Sequence, residues 1–365
     1  MLYSKEVDQS GLVRYGILGL GIGMAHVAAA AASNKCVLCA VADLDDARKA
    51  TFSEEYPDVP TYNTLEEMLA AENLDAVSIC LPTGMHADYA VRAMEAGVHA
   101  LVEKPIDVTV EKALPVIEAA KRTGKKCGVV FQNRYNFGMD PVWEGLSDGT
   151  LGKIYLGTFA VKWHRDDAYY AANGGWRGTW EMDGGGSLMN QSIHTVDLML
   201  QIMGKPKSIT SQMRLCGHDI ESEDLTVSTL TFESGAIATF TSTTCAYPGI
   251  CTEISLTCEN GYVAIDADKL KIWKMRGAAP EDEAEKLARY SVGNRKAQKL
   301  CRGRLFGHKR VIDDFCAAIL EDRDPPVTPE EGLLPLRVIC AAYESAKSGK
   351  TIFFDLFFDF FRASY

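Results

Sequence analysis

Val13-Arg14-Tyr15-Gly16-Ile17-Leu18-Gly19-Leu20-Gly21-Ile22-Gly23-Met24, followed by the alanine-rich run 25–32, is the stretch that decides the fold. A β-rich apolar strand runs straight into closely spaced glycines and then into strong helix formers. Glycines at such a junction permit a tight turn and close backbone approach, so the free N–H groups and the positive helix end can hold a pyrophosphate. In the pattern G-x-G-x-x-G the third glycine would fall at Met24, and Gly23 stands one place earlier. The next apolar run, CVLCAVAD, ends on Asp43, 24 residues after Gly19. A carboxylate there can accept hydrogen bonds from ribose hydroxyls. Gly19, Gly21, Ile22, Gly23, Met24 and Asp43 are therefore the expected dinucleotide contacts. Asp43 also repels a 2′-phosphate, and the nearest arginine is Arg48, which favours NAD over NADP.

Outward from this stretch, residues 13 to about 131 alternate short β-rich runs with helical patterns, and ICLP and ALVEK are apolar without alternation. That is the signature of right-handed βαβ crossovers building a doubly wound parallel sheet covered on both faces. Helix stops fall at Gly97 and Gly124. After about residue 135 the pattern changes to period-2 runs, among them LTVSTLTFES and GAIATFTSTTCA, separated by Gly, Asn and Asp turn signals. These predict a large, mostly antiparallel open sheet, covered by one long helix over 186–203. Residues 277–307 read as a mobile surface loop, and helical patterns return at 308–322 and 329–349. The expected division is a dinucleotide-binding Rossmann domain, 1–134, and an α+β domain, 135–365, for substrate binding and oligomerisation.

The chain has 365 residues, with 38 Lys+Arg against 49 Asp+Glu and a formal charge of −11. With no block of basic residues, it does not read as a binder of nucleic-acid phosphates. No apolar stretch reaches the ~18 residues of a membrane span. The N-terminal residues lack the basic-then-apolar pattern of a leader, so the expected compartment is cytoplasmic. The 11 cysteines sit mostly inside apolar runs. Cys36 and Cys39 fall in a strand, where residues three apart face opposite sides, so ordinary core thiols are expected and no metal.

Leu81-Pro82-Thr83 with His86, then Glu103-Lys104-Pro105, then Gly184-Gly185-Gly186 leading to Asn190, His194 and Asp197, resemble the Gfo/Idh/MocA oxidoreductases over about residues 13 to 350. Ligands of parallel sheets bind beyond the carboxyl ends of the strands, where Asp43, Pro82 and Glu103-Lys104-Pro105 fall. The resemblance implies cofactor contacts from Pro82, Thr83, His86, Glu103 and Lys104. It further implies Glu103 on the nicotinamide ribose, Lys104 at the reacting hydroxyl and a cis Lys104–Pro105 bond. Helical spacing puts Asn190, His194 and Asp197 on one face. His194, titrating near neutrality, can take or return a proton. Asn190 stands where many relatives carry Asp. An amide can orient a hydroxyl but cannot accept its proton, which leaves that load on Lys104 and His194. Asp197 either orients His194 or braces its helix.

The segment KWHRDDAYYAANGGWRGTWEMD, 162–183, concentrates aromatic rings and planar hydrogen-bonding groups suited to a polyhydroxylated ring. Arg165, Tyr169 and Tyr170 are the expected substrate contacts, with Trp176 or Trp180 closing the pocket and Asn190, Gln191 and His194 on the facing helix. His308 resembles a family histidine near the substrate. The expected function is NAD-dependent oxidation of a secondary hydroxyl of a sugar, sugar derivative or cyclitol, or reduction of the ketone. The rivals are an enzyme whose retained NAD cycles during net non-redox chemistry and a non-catalytic dinucleotide sensor. At the C-terminus, IFFDLFFDFFRASY would as a helix align Phe353, Phe354, Phe357, Phe358 and Phe361. We read it as a subunit contact in a homo-oligomer, a dimer or tetramer joined through the sheet of the C-terminal domain.

Overall fold

The computed structural model describes residues 11–291 and 306–354. The first layer is a six-stranded sheet of β1 (Val13–Leu18), β2 (Cys36–Ala42), β3 (Thr61–Tyr62), β4 (Ala76–Ile79), β5 (His99–Val102) and β6 (Cys127–Val129). Their order is β3-β2-β1-β4-β5-β6 and every neighbouring pair is parallel. The order reverses between β1 and β4, so a crevice opens at their carboxyl ends, where dinucleotides bind in such sheets. β4 is buried at every position, as a strand covered on both faces must be. Helix α1 (Gly23–Ala31) follows the glycine turn without a side-chain cap. Its start, at the glycine turn, stands at the mouth of this crevice, with Met24 N and Ala25 N turned back to the Gly21 and Ile22 carbonyls. Helix α2 (Asp46–Glu55) is capped by Asp45, which accepts from Ala47 N and Arg48 N.

The second layer is an eight-stranded sheet of β7 (Ile154–Lys162), β8 (Pro206–Arg214), β9 (Leu225–Phe232), β10 (Ile237–Thr243), β11 (Cys251–Cys258), β12 (Gly261–Asp266), β13 (Lys269–Met275) and β14 (Ile352–Phe353). The order is β13-β12-β11-β7-β10-β9-β8-β14, antiparallel throughout except for the parallel pair β7–β10. One face packs Ile209, Leu230, Phe240 and Leu256 against helices Ile193–Met203 and Pro329–Ser348. The other face carries no helix among the described residues. Helix Phe306–Leu320 returns to the first layer, where Ile312, Phe315 and Cys316 join Tyr15 and Ile17 in one core.

Three local expectations are corrected. The single helix over 186–203 is a π-helical turn, Ser187–Gln191, followed by α-helix Ile193–Met203. Part of the supposed loop 277–307 is a helix, Pro280–Tyr290, started by Pro280 and three acidic residues in its first turn, which suit a helix N-terminus. Ile352–Phe353 is an edge strand on β8, not the start of a helix. The rest of the aromatic tail, with Phe357, Phe358 and Phe361, lies outside the described residues. Among those described, no helix is long and apolar enough to cross a membrane.

Candidate active site

Strand β1 delivers the glycines to the crevice. Gly19 has φ +92°, and a Cβ there would stand 2.5 Å from the Cys80 carbonyl oxygen, so both its conformation and its space require glycine. Gly23 packs on Ile17 and Cys80, where a Cβ would meet carbons at 3.1 and 3.3 Å. That close helix–strand contact is the task of the third glycine of the motif, performed here one residue early. Gly21 and Ile22 are exposed at the crown and line the cavity, whereas Met24 packs back on the core and is not on its wall. At the end of β2, Asp43 accepts from Leu20 N at 2.6 Å and from Asp45 N at 2.8 Å. Its carboxylate therefore braces the glycine loop as well as facing the crevice, with Arg48 Nη1 at 3.6 Å. An open glycine turn, an uncapped helix start and this carboxylate fit a dinucleotide.

From here a cavity of about 870 Å³ runs between the two sheets, past Pro82, Thr83, His86, Glu103 and Lys104, to Tyr169, Trp176, Arg177, Asn190, Gln191 and His194. His86 is buried with its two ring nitrogens 2.7 and 2.6 Å from the Leu81 and Pro105 carbonyl oxygens, tying together the loops after β4 and β5. The Lys104–Pro105 bond is cis. Lys104 Nζ donates to the Asn190 carbonyl at 2.8 Å. Burial lowers the Lys104 pKa, with Arg177 adding to the fall while Glu103 and Asp183 oppose it. Burial alone would raise Glu103. Contacts with His26 Nε2 at 3.0 Å and His308 Nε2 at 3.7 Å reverse that and hold its carboxyl well below the usual range. Behind it, His26 Nδ1 meets Ser78 Oγ at 2.9 Å and Ser78 meets Tyr15 Oη at 2.7 Å. Glu103 thus stays anionic beside the lysine, and His308 serves this clamp rather than the cavity wall.

On the facing side, His194 is buried with Gln132 Nε2 3.3 Å from its Nε2. Burial, helped by Lys104, pushes its pKa down to about 3. His194 is therefore neutral at physiological pH, which corrects the expectation of a histidine titrating near neutrality. Asp197 does not touch it: the carboxylate takes a bidentate bond from Arg134 at 2.8 and 2.6 Å, bracing the helix against the turn Gln132–Tyr135. Removing either partner of so buried a pair costs about 3–5 kcal/mol.

The aromatic segment divides. Tyr169 and Trp176 line the cavity. Tyr170 does not: its hydroxyl meets Thr244 Oγ1 at 2.9 Å and its ring lies against His218, which removes it from the substrate wall. Arg165 also stands behind the wall, bonded through Nη2 to Gln191 Oε1 at 2.7 Å. Trp180 turns away to donate to the Glu221 carbonyl.

Of two further groups here, the sequence reading missed Asp183 and counted Arg177 only among the planar groups of the 162–183 segment. Asp183, 1% exposed, accepts from Gly178 N at 2.8 Å and from Asn190 Nδ2. Burial pushes its pKa up to about 6, against the pull of those two bonds, Lys104 and Arg177. It restores beside Lys104 the carboxylate that Asn190 lacks. Arg177 lines the cavity and sits on the Tyr169 and Trp176 rings, its guanidinium carbon 4.6 and 5.1 Å from their centres. The only local sign of Asp183 was its place just before Gly184, and of Arg177 its aromatic neighbours.

The family profile described as "Oxidoreductase family, NAD-binding Rossmann fold" matches residues 13–131, and "GFO/IDH/MocA C-terminal domain" matches 142–264. The structure is similar to the WlbA dehydrogenase of Bordetella pertussis, solved with NADH and UDP-GlcNAcA, at 29% identity and a TM-score of 0.85, covering 94% of this chain and 98% of that one. It is 28% identical to the D-glucoside 3-dehydrogenase of Escherichia coli over 64% of this chain and 70% of the relative. To the D-xylose 1-dehydrogenase (NADP(+)) 2 of Haloferax volcanii it is 25% identical over 93% and 99%. Matched in both of its sheets, the chain belongs to the Gfo/Idh/MocA family of NAD(P)-dependent oxidoreductases.

Proposed function

We propose that the protein is a NAD-dependent dehydrogenase that oxidises a secondary hydroxyl of a sugar or cyclitol, or reduces the ketone. The observation that carries this reading is a half-buried lysine, Lys104, reaching from the end of β5 to the Asn190 carbonyl across the cavity. NAD, when bound, supplies the hydride acceptor. Gly19, Gly21 and Gly23 would hold its pyrophosphate and Asp43 its adenosine ribose. The Asp43 carboxylate at the ribose end, which holds Arg48 Nη1 at 3.6 Å, supports NAD over NADP.

Lys104 Nζ takes the hydroxyl proton. A free lysine is too basic for this near neutrality, and burial lowers it toward the working range. Neutral His194 offers a ring nitrogen to orient the hydroxyl. Asn190 Nδ2 is held by Asp183 and its Oδ1 accepts from Gln191 Nε2 at 2.9 Å, so the amide is locked. Intact Lys104 and His194 speak against a sensor.

Arg177 favours a second reading, a nucleotide-linked sugar acid. Its planar guanidinium matches a carboxylate, and the WlbA relative was crystallised with UDP-GlcNAcA. A panel of sugars, inositols and nucleotide-sugars, followed by NADH absorbance with NAD and with NADP, tests both. Lys104→Met should keep NADH binding and lose about 100-fold or more in turnover. Retained turnover would sink the assignment of Lys104.

A further inference from the structure

Away from the cofactor cavity, where β8, β9 and β10 run out, three metal-binding side chains converge. His218 Nδ1 lies 3.0 Å from Asp224 Oδ2 and 3.7 Å from Cys245 Sγ, and the three atoms are within 4.8 Å of one another. The His218 and Asp224 side chains are 6% and 0% exposed, too deep for chance surface neighbours. His218 belongs to the β8–β9 connection, Asp224 stands just before β9 and Cys245 just after β10.

We propose that His218, Asp224 and Cys245 form a structural site for a divalent transition ion of the zinc type. Thiolate plus imidazole selects zinc or a similar ion over magnesium or calcium. Zinc bonds of about 2.0–2.1 Å to N and O and about 2.3 Å to S, at tetrahedral angles, would set N and O about 3.3 Å apart and N and S about 3.6 Å apart. The observed 3.0 and 3.7 Å need shifts of only a few tenths of an ångström.

The surroundings support the same reading. His218 Nε2 lies 2.8 Å from the Arg165 carbonyl oxygen, which can only accept, so Nε2 carries a proton. In the neutral ring the Nδ1 lone pair then points at Asp224 and Cys245. A ligating histidine is ordinarily oriented by such a carbonyl. Asp224 Oδ1 accepts from Cys216 N at 2.7 Å, and Oδ2 is steered by Gly217 N at 2.8 Å and His218 N at 3.2 Å. Water or the exposed Cys216, whose neighbour Gly217 would place a Cβ 3.1 Å from Cys245 Sγ, would complete the tetrahedron. Binding releases the thiol proton of Cys245 to solvent. The ion would fix the backbone of Arg165, whose side chain holds Gln191 on the cavity wall.

The competing account is an imidazolium–carboxylate pair with a bystander thiol. Full-length protein stripped by a chelator and titrated with Co²⁺ alone separates the two. Expected is one equivalent bound, with a thiolate-to-cobalt charge-transfer band and tetrahedral d–d absorption, and displacement by Zn²⁺. Cys245→Ser should abolish that band, and both Cys245→Ser and His218→Gln should weaken Zn²⁺ at least 100-fold, more than typical outer-shell losses. NADH binding should persist in both variants, showing that they fold. No stoichiometric binding, a spectrum without the thiolate band, or affinity unchanged in both variants would overturn the site. None of these readouts depends on the proposed dehydrogenase activity.

Discussion

Asp183 changes charge close to neutrality because burial pushes its pKa up to about 6. Ionised, it raises the pKa of Lys104 and holds the Asn190 amide. Asp183→Asn should lower kcat about ten-fold, a rise of about 1.4 kcal/mol in the barrier. The limb of the pH profile that follows deprotonation of Lys104 should move to lower pH, since the charge that raised the lysine is gone. Stability should respond with the opposite sense. A carboxyl with a raised folded-state pKa contributes stability fully present below pH about 4 and lost as pH rises through about 6, about 3 kcal/mol at most. The wild type should lose Tm across that window and the variant should not. A variant whose Tm falls equally at every pH, with an unmoved rate profile, would make Asp183 plain scaffold. Asp183 was not legible in the sequence because its partners Lys104 and Arg177 approach through the fold, not through local spacing. Lys104 and Asp43 were legible because strand periodicity places them at carboxyl ends. His194 was located by its motif, but burial, which spacing does not record, sets its charge state.

At the level of the element, the glycines before His194 have a different task from the one their sequence suggests. A glycine run before a helix ordinarily lets a ligand approach the helix start closely. Instead, a Cβ on Gly184 would meet Val108 at 2.8 Å, one on Gly185 the Tyr343 hydroxyl at 2.1 Å, and one on Gly186 the Glu223 carbonyl at 1.9 Å. Buried Glu223 explains the π-helical turn that replaces the first turn of the expected helix. It accepts from Gly186 N and Leu188 N at 3.1 Å, from Ser187 Oγ at 2.6 Å and from Tyr343 Oη at 2.7 Å, providing a cap from the β8–β9 connection. A period-3.6 reading cannot detect a turn widened by a partner 36 residues away, as Glu223 is from Ser187. Gly186→Ala must push backbone aside and should cost about 1–3 kcal/mol, as overpacking does. Gly97→Ala, at φ +88° with nothing within 4 Å, carries only the strain of its backbone. We expect the Tm of Gly186→Ala to fall further than that of Gly97→Ala and its substrate KM to rise while NADH affinity holds. Equal Tm losses would remove the packing argument.

The whole molecule carries a net charge of −11 yet is built to receive an anionic dinucleotide, because backbone amides at the glycine turn supply the local field. The same separation of local from global applies to assembly. The parallel sheet is closed by helices on both faces, but the second sheet is covered on one. On its open face Val227, Ile237 and Leu156 are 47%, 46% and 40% exposed, too apolar a set to leave to water. Register joins them into one surface: Ile237 lies opposite Leu156 and Thr231, and Val227 opposite Thr241. Period-2 alternation announced a half-covered sheet, but it could not say that the described helices all pack on the other side. We infer that a second copy of the chain covers this face. Light scattering of the purified protein should give an oligomer with an even number of chains. The double variant Val227→Arg, Ile237→Arg should shift it to monomer with NADH binding intact, since the cofactor crevice lies in the other sheet. Truncation after residue 354 separates the aromatic tail from the sheet: an unchanged mass there, with loss in the double variant, assigns the contact to the sheet. A wild-type monomer at all concentrations would refute it.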